Sequence, residues 1–348
     1  MTRGVQAFAL ATLFAYLRSF GEGDAVNRRL FFAALGCALW FAHSSPGGAQ
    51  EKIPRIGFLS YCVSSFDEQG FDQGLRELGY IEGKNILIEW RRFLEDPAQL
   101  TGAANELVGS KVDILVTCST PATRAALNAT KTIPIVFTAT GDPVATGLVA
   151  SLASPGANGT GVSIQAPELA TKRLDLLRQL APHARRVAYI GNISNPSAAL
   201  TLKSLEAAAK TLNIGLRVHT IRSAREVDAA LRAIRPSSVD GVLVGPEVVA
   251  LAQGAKIAQA VRRARLPAVF PWRQFHEYGV LMSYGPDSRE LMRRGAYYVD
   301  RILRGARPSD LPVEQVSKVG LIIDLRVARE MGIKVPQELL YRADEVIR

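Results

Sequence analysis

Residues 114–139 read ILVTCSTPATRAALNATKTIPIVFTA, and this stretch decides the fold class. Its two ends, 114–117 and 135–139, are short runs of apolar and β-branched residues, which is typical of strands buried on both faces. Between them, the Ser-Thr-Pro sequence at 119–121 indicates a helix start, because hydroxyls cap free N–H groups and proline suits the first turn. A strand, a helix and a second strand in this order predict a parallel sheet with a helical crossover.

The same alternation continues on both sides of this unit. Further strands of this kind are predicted at 55–60, 86–90, 187–190, 216–221, 241–244 and 268–270. A connection rich in glycine and proline, 141–161, separates two similar series of elements. The sequence therefore predicts an α/β protein made of two doubly wound parallel-sheet lobes.

The elements that follow residue 272 suggest that the chain crosses between the lobes more than once. We expect lobe one to contain residues 50–163 and 279–311, and lobe two to contain residues 164–278 and 312–348. Two lobes joined by several crossovers form a hinge, and the space between them is a cleft that can bind a ligand.

Composition and charge exclude several classes of protein. The chain has 348 residues, of which 48% are hydrophobic and 21% are charged, so disordered and collagen-like proteins are excluded. The net charge of +10 is spread over many predicted helices. No helix-turn-helix, zinc ligand set or basic-aromatic strand accompanies it, and we therefore predict no nucleic-acid partner.

The first 49 residues have the features of an export signal. Asn27-Arg28-Arg29 is a basic start, an apolar run at 30–41 is too short to cross a membrane, and small residues lead to a cleavage point after Ala49. We expect the mature protein to be periplasmic. A second apolar run upstream indicates that residues 1–25 precede the true start, the alternative being an N-terminal anchor. Cys37 fits a lipoprotein cleavage box poorly.

No catalytic signature is present. The sequence lacks a G-x-S-x-G elbow, a phosphate-binding loop and an H-E-x-x-H motif, and its four histidines are scattered. We therefore predict no catalytic residue, no metal site and no cofactor.

Polar and aromatic residues are concentrated where predicted strands end. In open α/β sheets ligands bind outside the carboxyl ends of the strands, and the free N–H groups of the next helix attract an anion. The candidate ligand-binding residues are Ser60, Tyr61, Ser119, Thr120, Asp142, Asn192, Asn195, Glu247, Trp272 and Tyr284.

These candidates suit a small zwitterion with an apolar or aromatic side chain. Ser119 and Thr120 would hold a carboxylate, although plain helix capping explains them equally well. Asp142 or Glu247 would hold an ammonium group, because a charge buried in a closed cleft needs a partner.

Cys62 and Cys118 follow two strands that we expect to be neighbours in the first lobe. A disulfide between them and a pair of free thiols both remain open, because the loop after Tyr61 could point either way.

Six stretches resemble the ABC transporter substrate-binding proteins of the group that includes the tryptophan- and tyrosine-binding TrpX-like proteins. In order, they are 55–59 (RIGFL), 74–80 (GLRELGY), 133–137 (IPIVF), 141–149 (GDPVATGLV), 281–285 (LMSYG) and 343–347 (ADEVI). The resemblance runs from residue 55 almost to the C-terminus. Cys118 departs from the small residue that similar proteins often have there, so ligand specificity carries over less directly than the fold.

The resemblance implies a periplasmic-binding-protein type I fold that closes on its ligand. It also implies a small-molecule ligand and delivery to an ABC permease and its ATPase at the inner membrane, with the protein acting as a monomer. Two alternatives remain: a periplasmic subunit that signals ligand occupancy to a membrane sensor, and a periplasmic enzyme on the same scaffold.

Overall fold

The computed structural model describes residues 52–61, 65–92 and 97–348, so the predicted signal region 1–49 and Cys62 lie outside the described residues. Residues 53–348 form one compact unit. It is an α/β structure in which two groups of parallel strands each carry helices on their faces.

The first lobe is built on a six-stranded parallel sheet with the order β11-β5-β4-β3-β1-β2. Its strands are β1 (Arg55–Ser60), β2 (Leu87–Arg92), β3 (Ile114–Cys118), β4 (Ile135–Thr140), β5 (Gly159–Ser163) and β11 (Glu314–Gln315). Its helices are α1 (Ser65–Glu77), α2 (Leu100–Gly109), α3 (Thr120–Ala129) and α9 (Ser288–Leu303).

The second lobe contains the parallel strands β7-β6-β8-β9, extended by β10-β12-β13. These strands are β6 (Arg186–Gly191), β7 (Gly215–Thr220), β8 (Gly241–Val244), β9 (Ala268–Val269), β10 (Met282–Pro286), β12 (Val319–Asp324) and β13 (Glu345–Ile347). Its helices are α4 (Ala166–Leu180), α5 (Pro196–Thr211), α6 (Ala224–Ala233), α7 (Val248–Ala252), α8 (Gly254–Arg263), α10 (Leu325–Met331) and α11 (Gln337–Arg342).

The buried strands explain why the sheets are covered on both sides. In the first lobe, Phe58 and Val116 belong to the hydrophobic cluster beneath α1 and α9, whereas Leu59 and Leu115 pack with α2 and α3. Successive residues of a strand point to opposite faces, so a strand buried on both faces must be apolar throughout. This is the pattern that residues 114–117 show in the sequence.

The described chain crosses between the lobes at three places: from β5 to α4, from β10 to α9, and from β11 to β12. Gln165, at the first crossing, has a left-handed backbone with φ of 48°. Its side-chain amide donates a hydrogen bond to the carbonyl oxygen of Val316 at the third crossing (2.9 Å). The first and third crossings are therefore tied to each other by this hydrogen bond.

Two of the predicted lobe boundaries differ from the observed strand pairing. Residues 279–311 are predicted in lobe one, but β10 pairs with β12 and hydrogen-bonds to Phe270 of the second sheet. Residues 312–348 are predicted in lobe two, but β11 pairs with β5 of the first sheet. A short edge strand is placed by its hydrogen-bonding partner, and a linear sequence does not specify that partner.

The two lobes touch at Gly141, which follows β4. A Cβ atom at this position would lie 2.5 Å from the Cβ of Ser197 in α5 and would collide with its hydroxyl. Glycine is required there because the backbone of one lobe approaches the other so closely. In the part of the chain that the structure describes, no helix is both long and apolar enough to cross a membrane.

Candidate functional site

A cleft of about 650 Å³, its open mouth included, lies between the carboxyl ends of the strands of the two lobes. Its apolar wall includes Tyr61, Ile164, Trp272, Leu291 and Met292, and its polar residues are Ser119, Asn195, Glu247, Gln274 and Ser288. Trp272 packs against hydrophobic clusters of both lobes. Because both lobes supply lining residues, a ligand in this cleft would touch both.

The first lobe presents the N-terminus of α3 to the cleft. Ser119 is the N-cap residue and its hydroxyl accepts the N–H of Ala122 (3.5 Å), while its backbone has an unusual φ of 88°. Pro121 occupies the first turn and lines the cleft. The positive end of a helix dipole, with N–H groups that lack intrahelical acceptors, is suited to a carboxylate.

The second lobe presents a buried carboxyl group, that of Glu247, which is only 7% exposed. One carboxyl oxygen accepts the side-chain amide of Asn195 (3.5 Å), and the backbone N–H of Asn192 also bonds to the group. Burial raises the pKa of Glu247 to about 7, because removal from water disfavours its charged form. No lysine or arginine is among the described residues that line the cleft. A cationic group on a ligand would therefore be its natural partner.

A buried polar group lies beneath the second-lobe wall. The Tyr189 hydroxyl makes no hydrogen bond within the described residues, and burial raises the pKa of Tyr189. A Cβ on Gly191 or Gly245 would come within 2.8 Å of this hydroxyl. The two glycines at the ends of β6 and β8 thus leave room for the buried tyrosine ring.

Arg173, in α4, lies on the same side of the second sheet as Tyr189. Its Nε donates to the carbonyl oxygen of Tyr284 in β10 (2.7 Å), and the side chain is buried. Burial lowers the pKa of Arg173 to about 10. Among the described residues no carboxylate pairs with it, and its hydrogen bond to Tyr284 holds the backbone of β10 just before the chain crosses to α9.

A hydrogen bond between side chains connects the lobes across the cleft. Gln274 belongs to the short 3-10 turn Arg273–Tyr278 that follows β9, and its amide donates to the hydroxyl of Ser288, the first residue of α9. Both residues line the cleft. Sequence analysis missed this pair because its members lie on different lobes, although each follows a recognisable signal: the Pro-Trp at 271–272 and the helix start at Asp287.

The structure brings five of the predicted residues to the cleft: Tyr61, Ser119, Asn195, Glu247 and Trp272. The other five have different surroundings and do not line it: Ser60, Thr120, Asp142, Asn192 and Tyr284.

Each of these exclusions has a local cause. The Asp142 carboxylate accepts the N–H groups of Val144 (3.1 Å) and Ala145 (2.9 Å) and so closes its own turn. The Thr120 hydroxyl is buried and accepts the N–H of Gly141 (3.1 Å). The side chain of Asn192 caps the N–H of Ser194 (3.1 Å). Of the two carboxylates predicted for an ammonium group, only Glu247 lies in the cleft.

Ser60 and Tyr284 are excluded by burial and by strand geometry. Ser60 is buried at the end of β1. Tyr284 lies within β10, where its carbonyl oxygen accepts a hydrogen bond from Arg173 and its backbone pairs with β12.

Cys118 ends β3, lines the cleft and is part of a disulfide. The other two cysteines of the sequence, Cys37 and Cys62, lie outside the described residues. A disulfide at this wall agrees with one of the two alternatives left open by the sequence. The specific pairing with Cys62 stays a prediction.

Comparison with known proteins gives consistent matches. A family model described as "ABC transporter substrate binding protein" matches residues 58–347. The "Tyrosine-binding protein" of Clostridioides difficile (strain R20291) is 29% identical over 257 residues, which is 74% of this chain and 74% of that protein.

Two solved structures are similar to this chain over most of its length. An ABC domain from Streptococcus pneumonia in complex with L-Trp is 25% identical, covers 84% of this chain and 99% of its own, and has a TM-score of 0.78. A ligand-free, open structure of a substrate binding protein with adhesive properties from Clostridium difficile is also 25% identical, covers 85% and 99%, and has a TM-score of 0.62. At equal identity, the present structure is thus more similar to the ligand-bound protein.

Proposed function

The chain belongs to the family of ABC transporter substrate-binding proteins, and from this premise we propose that it captures an amino acid or a related small carboxylate in the interlobe cleft and delivers it to an ABC importer. Its fold is the type I periplasmic-binding fold. In this proposal the protein works in the periplasm after removal of the signal region. A membrane permease and its ATPase are the partners that receive the ligand.

One observation carries the proposal: a buried carboxyl group, without a cationic partner in the described cleft lining, opposite the N-terminus of a ten-residue helix. An amino acid fits both features. Its ammonium group would donate to Glu247, and its carboxylate would accept N–H groups at the start of α3. Tyr61 and Trp272 provide aromatic surface for an apolar or aromatic side chain.

Closure of the cleft follows from the distribution of these contacts. The carboxylate contacts belong to the first lobe and the ammonium contact belongs to the second, so both form only when the lobes are together. A ligand stabilises the closed form by the difference between its affinities for the two forms. The greater similarity to the L-Trp complex than to the open structure supports this interpretation. A permease could then distinguish the closed protein from the open one.

A thermal-shift screen followed by calorimetry tests the proposal. The screen contains the twenty amino acids, simple carboxylic acids, amines and sugars. A ligand at 1,000 times its dissociation constant stabilises the folded protein by about 4 kcal/mol. We expect amino acids to raise the melting temperature and sugars to have no effect.

The variant Glu247→Gln identifies the ammonium contact. It keeps the size of the side chain and removes the charge, and we expect affinity for the best amino acid to fall by roughly tenfold to a hundredfold. The control, Glu338→Gln, changes an exposed glutamate of α11 that does not line the cleft. Stabilisation by sugars alone, or full affinity in Glu247→Gln, would show that the proposal is wrong.

A further inference from the structure

One surface of the second lobe carries a strong excess of positive charge. It is formed by α6, α8 and the loops that follow them, residues 224–240 and 254–267, and we call it the basic face. Val227 of α6 and Ile257 of α8 belong to one hydrophobic cluster, so the two helices cover the same side of the second sheet. The basic face contains seven arginines and lysines but only three carboxylates.

The three carboxylates of the basic face already have cationic partners. The ion pairs are Glu226 with Arg222 (2.7 Å), Asp228 with Lys256 (2.9 Å) and Asp240 with Arg186 (2.6 Å). The exposed arginines of the face that have no carboxylate partner among the described residues are Arg225, Arg232, Arg235, Arg263 and Arg265. Their charges are therefore available to a partner outside the chain.

The arginines of helix α9 in the first lobe have different surroundings. The Arg293 guanidinium contacts the carboxylate of Glu77 (3.1 Å), and the Arg294 guanidinium contacts that of Glu314. Ion pairs of this kind contribute little to stability, but they remove the net charge of the surface that carries them. The unpaired arginines thus distinguish the basic face from the corresponding surface of the first lobe.

Four of the unpaired arginines lie at the edge of the second lobe that is opposite the cleft. Arg232 and Arg235 lie at the end of α6, which leads into β8, and Arg263 and Arg265 lie at the end of α8, which leads into β9. Because β8 and β9 are neighbouring parallel strands, both helix ends lie near the amino ends of these strands. The cleft lies at the carboxyl ends, so a partner bound to these arginines would leave the cleft free.

The composition of the basic face favours a broad anionic surface over a protein or a nucleic acid. None of the large apolar residues that are exposed in the described structure lies on it, whereas protein interfaces have an apolar or aromatic centre. It also contains no aromatic residue on which a base could stack. Guanidinium groups bind phosphate through paired N–H donors, and arginines near an anionic membrane contribute to binding without a shaped pocket.

We infer that the basic face binds the anionic phosphate headgroups of a phospholipid membrane. The inference does not depend on what the cleft binds, and it goes beyond the proposed function by adding a second contact with the membrane system. Each arginine close to an anionic surface strengthens binding by about fivefold. Binding of this kind weakens in salt, because the distance over which charges act falls from about 10 Å at 0.1 M to about 3 Å at 1 M.

Cosedimentation of the purified protein with lipid vesicles tests the inference. One set of vesicles contains phosphatidylcholine alone, and the other contains phosphatidylcholine and phosphatidylglycerol in equal parts. The readout is the binding that phosphatidylglycerol adds. We expect this added binding at about 0.1 M salt and its loss at about 1 M salt.

A triple variant and a matched control locate the surface. In Arg232→Gln, Arg263→Gln and Arg265→Gln together, affinity for the anionic vesicles should fall by about a hundredfold. The control combines Lys84→Gln, Lys203→Gln and Arg301→Gln, which are exposed and lie outside the basic face. It changes the net charge by the same amount and should change affinity by less than about threefold. Thermal melting checks that each protein is folded, and a triple lysine variant at the three arginine positions should bind like the natural protein.

Three outcomes would overturn the inference. In the first, phosphatidylglycerol adds no binding to that of phosphatidylcholine. In the second, the arginine variant and the control lose affinity equally, which would make total charge rather than the basic face responsible. In the third, duplex DNA at the same phosphate concentration binds more tightly than the anionic vesicles, which would make the face a nucleic-acid surface.

Discussion

The two walls of the cleft use different sources of charge. The first-lobe wall has no charged side chain among its described lining residues, and its electrostatic contribution comes from the N–H groups at the start of α3. The second-lobe wall contributes a full carboxyl group, that of Glu247, which is buried and lacks a cationic partner in the described lining. The electrostatic contribution of the first-lobe wall thus comes from backbone N–H groups, and that of the second-lobe wall comes from one side chain.

This difference has a consequence for binding and stability. Free N–H groups at a helix end are a normal part of a folded helix and cost little in the absence of ligand. A buried carboxyl group without a cationic partner does carry a cost, which appears as the raised pKa of Glu247. The buried carboxyl group of the second-lobe wall is therefore expected to lower the stability of the ligand-free protein, whereas the N–H groups of the first-lobe wall are not.

The largest expected effect comes from preventing the two walls from meeting. In Gly141→Ala the new methyl group would collide with Ser197 across the lobe contact. Gly141 does not have a left-handed backbone, so each lobe should fold normally. If ligand contacts from one lobe are lost, affinity should fall by roughly a thousandfold, or about 4 kcal/mol. Calorimetry measures the affinity, and thermal melting without ligand checks the fold.

Two further variants test whether the collision with Ser197 is the cause of the lost affinity. Gly102→Ala changes a helical glycine with open space around it and should leave affinity unchanged. Ser197→Gly combined with Gly141→Ala removes the obstructing side chain and should restore much of the affinity. Normal affinity in Gly141→Ala alone would mean that the ligand-bound lobes do not meet as they do here.

The second-largest expected effect is a pH dependence of stability that comes from Glu247 in the second-lobe wall. The pKa of Glu247 rises from an ordinary 4.5 to about 7 on folding. The folded protein then holds this proton more tightly than the unfolded chain, so its contribution to stability is fully present below about pH 4.5. That contribution is lost as pH rises to about 7, a change of about 3 kcal/mol. In ligand-free protein at pH 8, Glu247→Gln should therefore raise the free energy of unfolding by up to this amount.

Binding should show the opposite dependence on pH. An ammonium ligand needs ionised Glu247, so affinity should rise by up to about tenfold per pH unit until about pH 7 and then level off. Urea unfolding and calorimetry at matched pH values measure the two quantities. If Glu247→Gln leaves both pH profiles as they are in the natural protein, Glu247 is not the group that titrates.

The smallest expected effect on affinity comes from replacing Ser119 in the first-lobe wall. Ser119 has φ of 88°, a conformation that favours glycine. Ser119→Gly should relieve about 1 kcal/mol of strain and lose only a few tenths as a helix cap. Affinity should change less than threefold, since the N–H groups of α3 remain. Ser119→Ala keeps the strain and loses the cap, and should destabilise by about 1 kcal/mol. A large loss of affinity in Ser119→Gly would show that the hydroxyl itself binds the ligand.

Much of the fold and part of the cleft could be predicted from local patterns. The apolar run 114–117 predicted a buried parallel strand, and the Ser-Thr-Pro that follows predicted the start of α3. Ser119, Glu247 and Trp272 follow strands, and in parallel sheets the carboxyl ends of strands share an edge. These residues therefore came to the cleft as expected, and the family resemblance was confirmed.

What the sequence by itself determined is the set of elements and the edge at which a ligand would bind, because both depend on neighbouring residues and on the direction of parallel strands. Only the tertiary structure decided that β11 joins the first sheet, that β10 joins the second, and that Gln274 meets Ser288. It also decided that Glu247 faces the cleft while Asp142 closes a turn. These outcomes depend on hydrogen bonds and burial between segments far apart in the chain, and local periodicity carries no information about such partners.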